Sequence, residues 1–110
     1  MEAKKRKAIY YRDSKGREPA KKWLEALKDV AGKARIYSRI ERAEGGNFGD
    51  HKALGDGVSE LRVDTGPGYR VYFSIDENDT LILILISGDK STQQQDIADA
   101  KQAWKEHKNG

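Results

Sequence analysis

A chain of 110 residues is long enough for one domain with one hydrophobic core and leaves no room for two. It has no cysteine, which excludes disulfides and thiolate metal sites, and its longest apolar run, residues 81–86, is far too short to span a membrane. The formal net charge of +3 permits an anionic partner without identifying one. Because no secretory signal precedes the domain, we expect a cytoplasmic protein without a membrane partner.

The first half of the chain is predicted to form a short strand and two helices. Residues 7–11 have the composition of a strand. Pro19 suits the first position of a helix, and apolar residues recur at helical spacing over residues 20–31. Gly32 interrupts this pattern, and a second helix is predicted over residues 33–44. We expect the two helices to pack as an antiparallel hairpin over one face of a sheet.

Three arginines, Arg35, Arg39 and Arg42, share one face of the second predicted helix. Such a stripe suits contact with the phosphate backbone of RNA. Glu41 and Glu44 lie beside it, however, and a salt-bridged face exposed to solvent explains the same pattern.

Residues 45–57 are rich in glycine and are predicted to form a loop. This loop lacks the glycine-lysine-serine/threonine ending of a phosphate-binding loop. His51 and Lys52 within it are candidates for RNA contact, and His51 is also a candidate acid or base. Simple exposure to solvent is the alternative for His51. His107 is the only other histidine, and neither has the spacing of a metal ligand, so no metal site is expected.

Three consecutive strands are predicted over residues 59–63, 69–75 and 81–86. The first two alternate apolar and polar residues, as strands with one buried face do. The third is apolar at every position, which is typical of a central strand covered on both faces. Turn-forming residues at 64–68 predict a hairpin between the first two strands.

This predicted hairpin brings two arginines together. If Val63 pairs with Tyr69, then Arg62 lies opposite Arg70, and like charges in that position repel each other. A folded chain tolerates the pair where an anion lies between them, or where Glu60 and a nearby acid neutralise them.

Two further polar residues are expected beside the arginine pair. Residues 88–89 are predicted to end the third strand and to place Lys90 just beyond it. Lys90 would then converge with the two arginines on one polar face, next to Tyr72. Ordinary surface cations on a solvated sheet face are the alternative explanation.

The last predicted element is a helix that runs to about residue 108. Thr92 followed by Gln95 matches the capping-box pattern at its start. Its apolar stripe, which includes Ile97, Ala100 and Trp104, is narrow.

Three segments within residues 55–97, GDG-x-x-ELRV, GPGYRVYF and GDKSTQ-x-x-DI, resemble the RelE/ParE toxin superfamily. The resemblance is closest to the branch called addiction module killer proteins, which are related to HigB toxins. It implies an α+β, RelE-like fold, with an antiparallel sheet of about four strands, an N-terminal helix hairpin and a C-terminal helix. It also implies a toxin of a type II toxin–antitoxin module, neutralised by a cognate helix-turn-helix antitoxin.

The resemblance also implies roles for particular residues. RelE- and HigB-type members cleave mRNA on the ribosome with a group of basic residues, and no cofactor is expected. Arg70 matches an arginine of that pattern, Arg62 stands where RelE has a lysine, and Lys90 stands where it has an arginine. The chain departs from the pattern at Glu60, which replaces a lysine, and at Asp96, which lies about where a tyrosine is expected.

These departures leave two functional hypotheses. Cleavage by a 2′-hydroxyl group needs a base, an acid and positive charge on the phosphorane. The three cations suit the charge, and Glu60, Tyr72 and Asp96 are open candidates for proton transfer. The leading hypothesis is therefore a ribosome-dependent mRNA endonuclease that inhibits translation. The alternative is a ParE-like toxin without nuclease activity, which acts on DNA gyrase or another protein target.

Overall fold

A computed structural model describes residues 4–110 and has an α+β fold. Its elements in chain order are β1 (Lys7–Tyr10), α1 (Pro19–Ala26), α2 (Val30–Glu44), β2 (His51–Gly55), β3 (Val58–Val63), β4 (Tyr69–Ile75), β5 (Leu81–Asp89), a 3-10 turn (Lys90–Thr92) and α3 (Gln93–Asn109). None of the helices in this range has the length and apolar character needed to cross a membrane.

Within these residues the sheet has five strands, in the order β1-β5-β4-β3-β2, and is mixed. β1 pairs in parallel with β5, while the other three pairings are antiparallel. The expected antiparallel sheet of about four strands is therefore wrong. One strand, β2, lies inside the predicted glycine-rich loop, and its sequence HKALG has no alternation because it forms an exposed edge.

The expected N-terminal helix hairpin is also wrong. α1 packs mainly on β5, whereas α2 lies against β1, β3 and β4, so each helix packs on the sheet. α1 ends at Ala26 because Leu27 is extended, with φ −67° and ψ 122°. The buried side chains of the two helices, Leu24 from α1 and Ile36 from α2 among them, enter the same core side by side.

The two faces of the sheet carry separate cores. α1 and α2 cover one face, and α3 covers the other, where Ala100, Ala103 and Trp104 are buried. β5 contributes to both cores, with Ile82 on the first face and Leu83 on the second. The prediction that the apolar strand is central and covered on both faces is confirmed.

A polar contact fixes the start of α2 to β4. The carboxylate of Asp29 caps the helix by accepting the N–H of Gly32 at 3.0 Å, and it accepts the hydroxyl of Tyr69 at 2.7 Å. The two hydrogen bonds lower the pKa of Asp29, and the bond to Asp29 raises the pKa of Tyr69 to about 12. Gly32 is required here because a Cβ would lie 2.6 Å from Cε2 of Tyr69 and 2.8 Å from Cγ of Asp29.

We expect Gly32→Ala to lower the free energy of unfolding by about 1–3 kcal/mol, because the added methyl group overlaps the Tyr69 ring. Gly45→Ala at the other end of α2 is the matched control, since its φ is −79° and the nearest atom to a Cβ there is 3.4 Å away. Urea unfolding of both variants measures the difference. Equal stability of the two variants would contradict the close packing at Gly32.

Candidate functional site

The β3–β4 register assembles the candidate site on the sheet face that α3 covers. Arg62 lies directly opposite Arg70, and Glu60 lies opposite Tyr72. The predicted pairing of the two arginines is therefore confirmed. Since residues two apart in a strand share a face, all four side chains belong to one surface of the sheet.

Glu60 lies between the two arginines and neutralises part of their charge. Its side chain is only 2% exposed. Arg62 donates from Nε to one carboxylate oxygen at 3.1 Å, and Nε of Arg70 is 3.9 Å from the other. Gln93, at the start of α3, donates to that second oxygen at 3.2 Å. Asp50 is the nearby acid, with its carboxylate 3.9 Å from Nη1 of Arg62.

Lys90 lies next to Arg70 at the rim of the site. A Cβ built at Gly68 would lie 3.5 Å from Nη1 of Arg70 and 3.6 Å from Cβ of Lys90, so both side chains pass this glycine. The predicted strand over residues 81–86 is too short, because β5 continues through Asp89, and Lys90 lies just beyond its end as predicted. The Asp89 carboxylate then accepts the N–H of Ser91 at 2.8 Å and starts the 3-10 turn that carries the exposed Lys90.

Tyr72 is fully buried beside Glu60, and its hydroxyl has no hydrogen-bond partner among residues 4–110. Burial, assisted by the negative charges of Glu60 and Asp96, raises its pKa. The phenol therefore stays protonated at physiological pH. In this state it is able to donate a proton but not to accept one.

Asp96 reaches the sheet from the first turns of α3. Its carboxylate accepts the hydroxyl of Thr92 at 2.6 Å, so that hydroxyl does not cap the helix and the predicted capping box is wrong. Gly88 makes this approach possible, because a Cβ there would overlap the Asp96 carboxylate. Burial raises the pKa of Asp96.

The structure separates the three arginines of α2 by role. Arg39 donates to the backbone carbonyls of Arg62 (2.5 Å), Phe48 (2.9 Å) and Asp50 (3.1 Å). It ties α2 to β3 and to the segment before β2, and burial lowers its pKa. Arg35 and Arg42 are exposed on the helix surface and line a shallow groove with Arg39. Their helix covers the sheet face opposite to Glu60.

His51 and Lys52 lie on β2 and not in a loop, so the loop prediction for residues 45–57 is wrong over this stretch. Both are exposed. Lys52 lies opposite Glu60 in the β2–β3 register, which places it beside the arginine pair. His51 instead contacts the Gly49 carbonyl through Nδ1 at 2.9 Å.

Two contributors, Gln93 and Asp50, had no predicted role in the site. Gln93 belongs to the GDKSTQ segment, but its position above Glu60 depends on α3 crossing the sheet face. Asp50 lies in the glycine-rich segment, where nothing in the pattern marks it as an arginine partner. In the part of the chain that the structure describes, no three His, Cys, Asp or Glu side chains form a group that would hold a metal ion.

The fold and the site define a small α+β domain with an arginine–carboxylate cluster beneath its last helix. A protein of Haemophilus influenzae (strain ATCC 51907 / DSM 11121 / KW20 / Rd), described as an uncharacterized protein, is 52% identical to this chain over 79 residues. The match covers 72% of this chain and 79% of the relative. The chain belongs to the same family as that protein. No family model matches the chain, and no solved structure matches it either.

We expect Arg39→Ala to lower the free energy of unfolding by about 1–3 kcal/mol, because three carbonyl oxygens lose a charged donor. Arg35→Ala, on the same helix but exposed, should change it by no more than about 0.5 kcal/mol. Chemical denaturation of both variants tests this assignment. If the two losses are the same, Arg39 does not have the structural role that its contacts indicate.

We expect Asp96→Asn to stabilise the fold at neutral pH. Because the folded-state pKa of Asp96 is raised, its ionisation opposes folding as the pH rises from 3.8 through the raised value. The stability gain of Asp96→Asn over the wild type should therefore grow between pH 4 and pH 7 in denaturant titrations.

Asp76→Asn should show the opposite dependence of stability on pH. The backbone N–H groups of Leu81 and Thr80 lower the pKa of Asp76, so its contribution is present above pH 3.8 and is lost as the pH falls through the folded-state pKa. This variant should be least stable, relative to the wild type, at neutral pH. The same pH trend in both variants would refute the assignment of the raised pKa to Asp96.

Proposed function

We propose that this chain is the cytoplasmic toxin of a type II toxin–antitoxin module and that it cleaves mRNA on the ribosome. The observation that carries the proposal is the side-by-side pair of Arg62 and Arg70, with Lys90 at its rim and Glu60 behind it. These cations belong to the segments that resemble RelE/ParE toxins. The family relative has no assigned activity, so the proposal rests on the site and on that resemblance.

The arrangement suits cleavage by an adjacent 2′-hydroxyl group. A base takes the 2′-hydroxyl proton, the 2′-oxygen attacks phosphorus, and the 5′-oxygen leaves with a proton, giving a 2′,3′-cyclic phosphate and a 5′-hydroxyl end. Arg62, Arg70 and Lys90 stabilise the negative charge on the phosphorane. Glu60 is the carboxylate nearest to these cations, and Tyr72 is the protonated phenol nearest to Glu60.

Substrate positioning by the ribosome supplies part of the rate. Holding the reacting groups in line removes much of the entropic barrier, so that a modest set of proton-transfer groups is sufficient. RNA that lies along the rim would contact Lys52, which is opposite Glu60, whereas His51 faces the other side of the exposed edge strand. Arg35 and Arg42 belong to the other side of the domain and would contact ribosomal RNA rather than the scissile phosphate.

A cognate helix-turn-helix antitoxin completes the proposed module. Such a partner neutralises the toxin by covering the basic rim or by adding a strand at a free sheet edge. β2 presents such an edge, because its residues are mostly exposed and, within residues 4–110, it pairs with β3 alone.

One observation favours the alternative function, a ParE-like toxin that acts on DNA gyrase or another protein target. Glu60 is almost completely buried and already neutralises part of the charge of both arginines. A site with its cations paired in this way has less charge to offer a phosphate. In this alternative the same cluster is structural, and the toxin acts through its surface.

We expect wild-type expression to arrest growth and to generate new mRNA 5′ ends within reading frames. Arg70→Ala should reduce that cleavage at least about a hundredfold, as removal of a group that stabilises transition-state charge does. Mapping of 5′ ends in cellular mRNA measures the effect. Arg12→Ala is the control, because Arg12 is an arginine with a 68% exposed side chain outside the site.

The outcomes separate the two functions. Arrest without new mRNA ends, or arrest that survives Arg70→Ala, contradicts the nuclease and favours a protein target. A culture that grows normally while it makes folded protein contradicts the assignment as a toxin.

A further inference from the structure

The arginine pair already holds an anion, and that anion is part of the protein. The Glu60 carboxylate presents two oxygens, one to Arg62 and the other to Arg70, in the way that two oxygens of a phosphate diester would. We propose that Glu60 is a resident competitor in a phosphodiester site, and that a phosphate binds between the arginines by displacing its carboxylate. This inference takes from the proposed function only that the ligand is a phosphodiester.

Glu60 does not satisfy both arginines. This is expected if the space between them suits an anion larger than a carboxylate. Nε of Arg70 is buried and has no hydrogen-bond partner among residues 4–110, because its distance of 3.9 Å to Glu60 is too long for a hydrogen bond. A buried donor without a partner destabilises the folded state. A tetrahedral phosphate has oxygens spread more widely than a carboxylate and is able to reach both guanidinium groups.

The exposure of the cluster gives a phosphate a route to the site. The side chain of Arg62 is 35% exposed and that of Arg70 is 14% exposed, while Glu60 lies deeper at 2%. A ligand from solvent therefore meets the guanidinium groups before it meets the carboxylate. Lys90 at the rim adds positive charge on that approach.

The displaced carboxylate has a second cation available. Lys52 lies opposite Glu60 in the β2–β3 register and is exposed, without a carboxylate within ion-pair distance in the described range. Cross-strand neighbours of opposite charge attract each other. A rotation of the Glu60 side chain toward β2 thus exchanges its arginine partners for a lysine and leaves the arginines free.

Binding of inorganic pyrophosphate, and separately of a short single-stranded oligoribonucleotide, tests the proposal by calorimetric titration without ribosomes. Glu60→Gln keeps the shape of the side chain and removes its charge. We expect it to bind both probes at least about tenfold more tightly than the wild type, which corresponds to about 1.4 kcal/mol. The gain should disappear when Arg70→Ala is added to Glu60→Gln.

Asp56→Asn is the matched control. It also removes one negative charge, but from a 74% exposed side chain that pairs with Lys101 and lies outside the arginine cluster. We expect its affinity to change by no more than about twofold, since the carboxylate is exposed and screened by solvent. An equal gain in Asp56→Asn would overturn the proposal, because net charge alone would then explain the effect.

Other results overturn the proposal as well. The proposal is overturned if folded Glu60→Gln binds the probes no more tightly than the wild type. It is also overturned if Glu60→Gln binds pyrophosphate more tightly but the oligoribonucleotide no more tightly. If Glu60→Gln does not fold, Gln93→Ala decides, because it removes a donor to Glu60 and keeps the charge. Its affinity for both probes should rise, and no rise overturns the proposal. Probe affinity that behaves as proposed in a protein that cleaves no mRNA refutes only the proposed function.

Discussion

The register of β3 and β4 holds two guanidinium groups side by side on a sheet face that α3 covers. Two cations in a partly buried position are stable only with an anion between them, since a buried charge without a partner costs several kcal/mol. Glu60 provides that anion from the same strand as Arg62. Gln93 at the start of α3 and Asp50 before β2 then join the same cluster. One strand pairing thereby fixes the position of a helix and of an edge segment.

Small residues determine how closely α3 approaches this cluster. Gly88 leaves room for Asp96 against β5, and Ala100 and Ala103 bring the middle of the helix onto the sheet. The core beneath α3 is smaller than the one beneath α1 and α2. The polar site therefore lies on the face of the sheet that carries the smaller apolar core.

Local patterns predicted the parts of this architecture that depend on neighbours in sequence. Two alternating strands and a short turn were enough to place Arg62 opposite Arg70. β2 had no pattern to find, because an exposed edge strand has no buried face. The parallel β1–β5 pair joins segments far apart in the chain. The hydrophobic periodicity of each segment does not predict which distant segment it pairs with. The burial of Glu60 does not follow from the pattern, since polar positions of an alternating strand usually face solvent, whereas α3 covers this one.

The position of β5 has a consequence for how the chain folds during synthesis. Lys7 pairs with Leu81, and β5 also supplies side chains to both cores. The β1–β5 pairing closes a loop of more than 70 residues, which is slow. It cannot form at all until β5 has been synthesised. β1 is synthesised long before β5 and therefore has no partner strand at first. Meanwhile β2, β3 and β4 are able to pair with each other through contacts between neighbouring segments. A nascent chain that stops before β5 closes neither core, so the domain folds as a unit only after β5 has been synthesised.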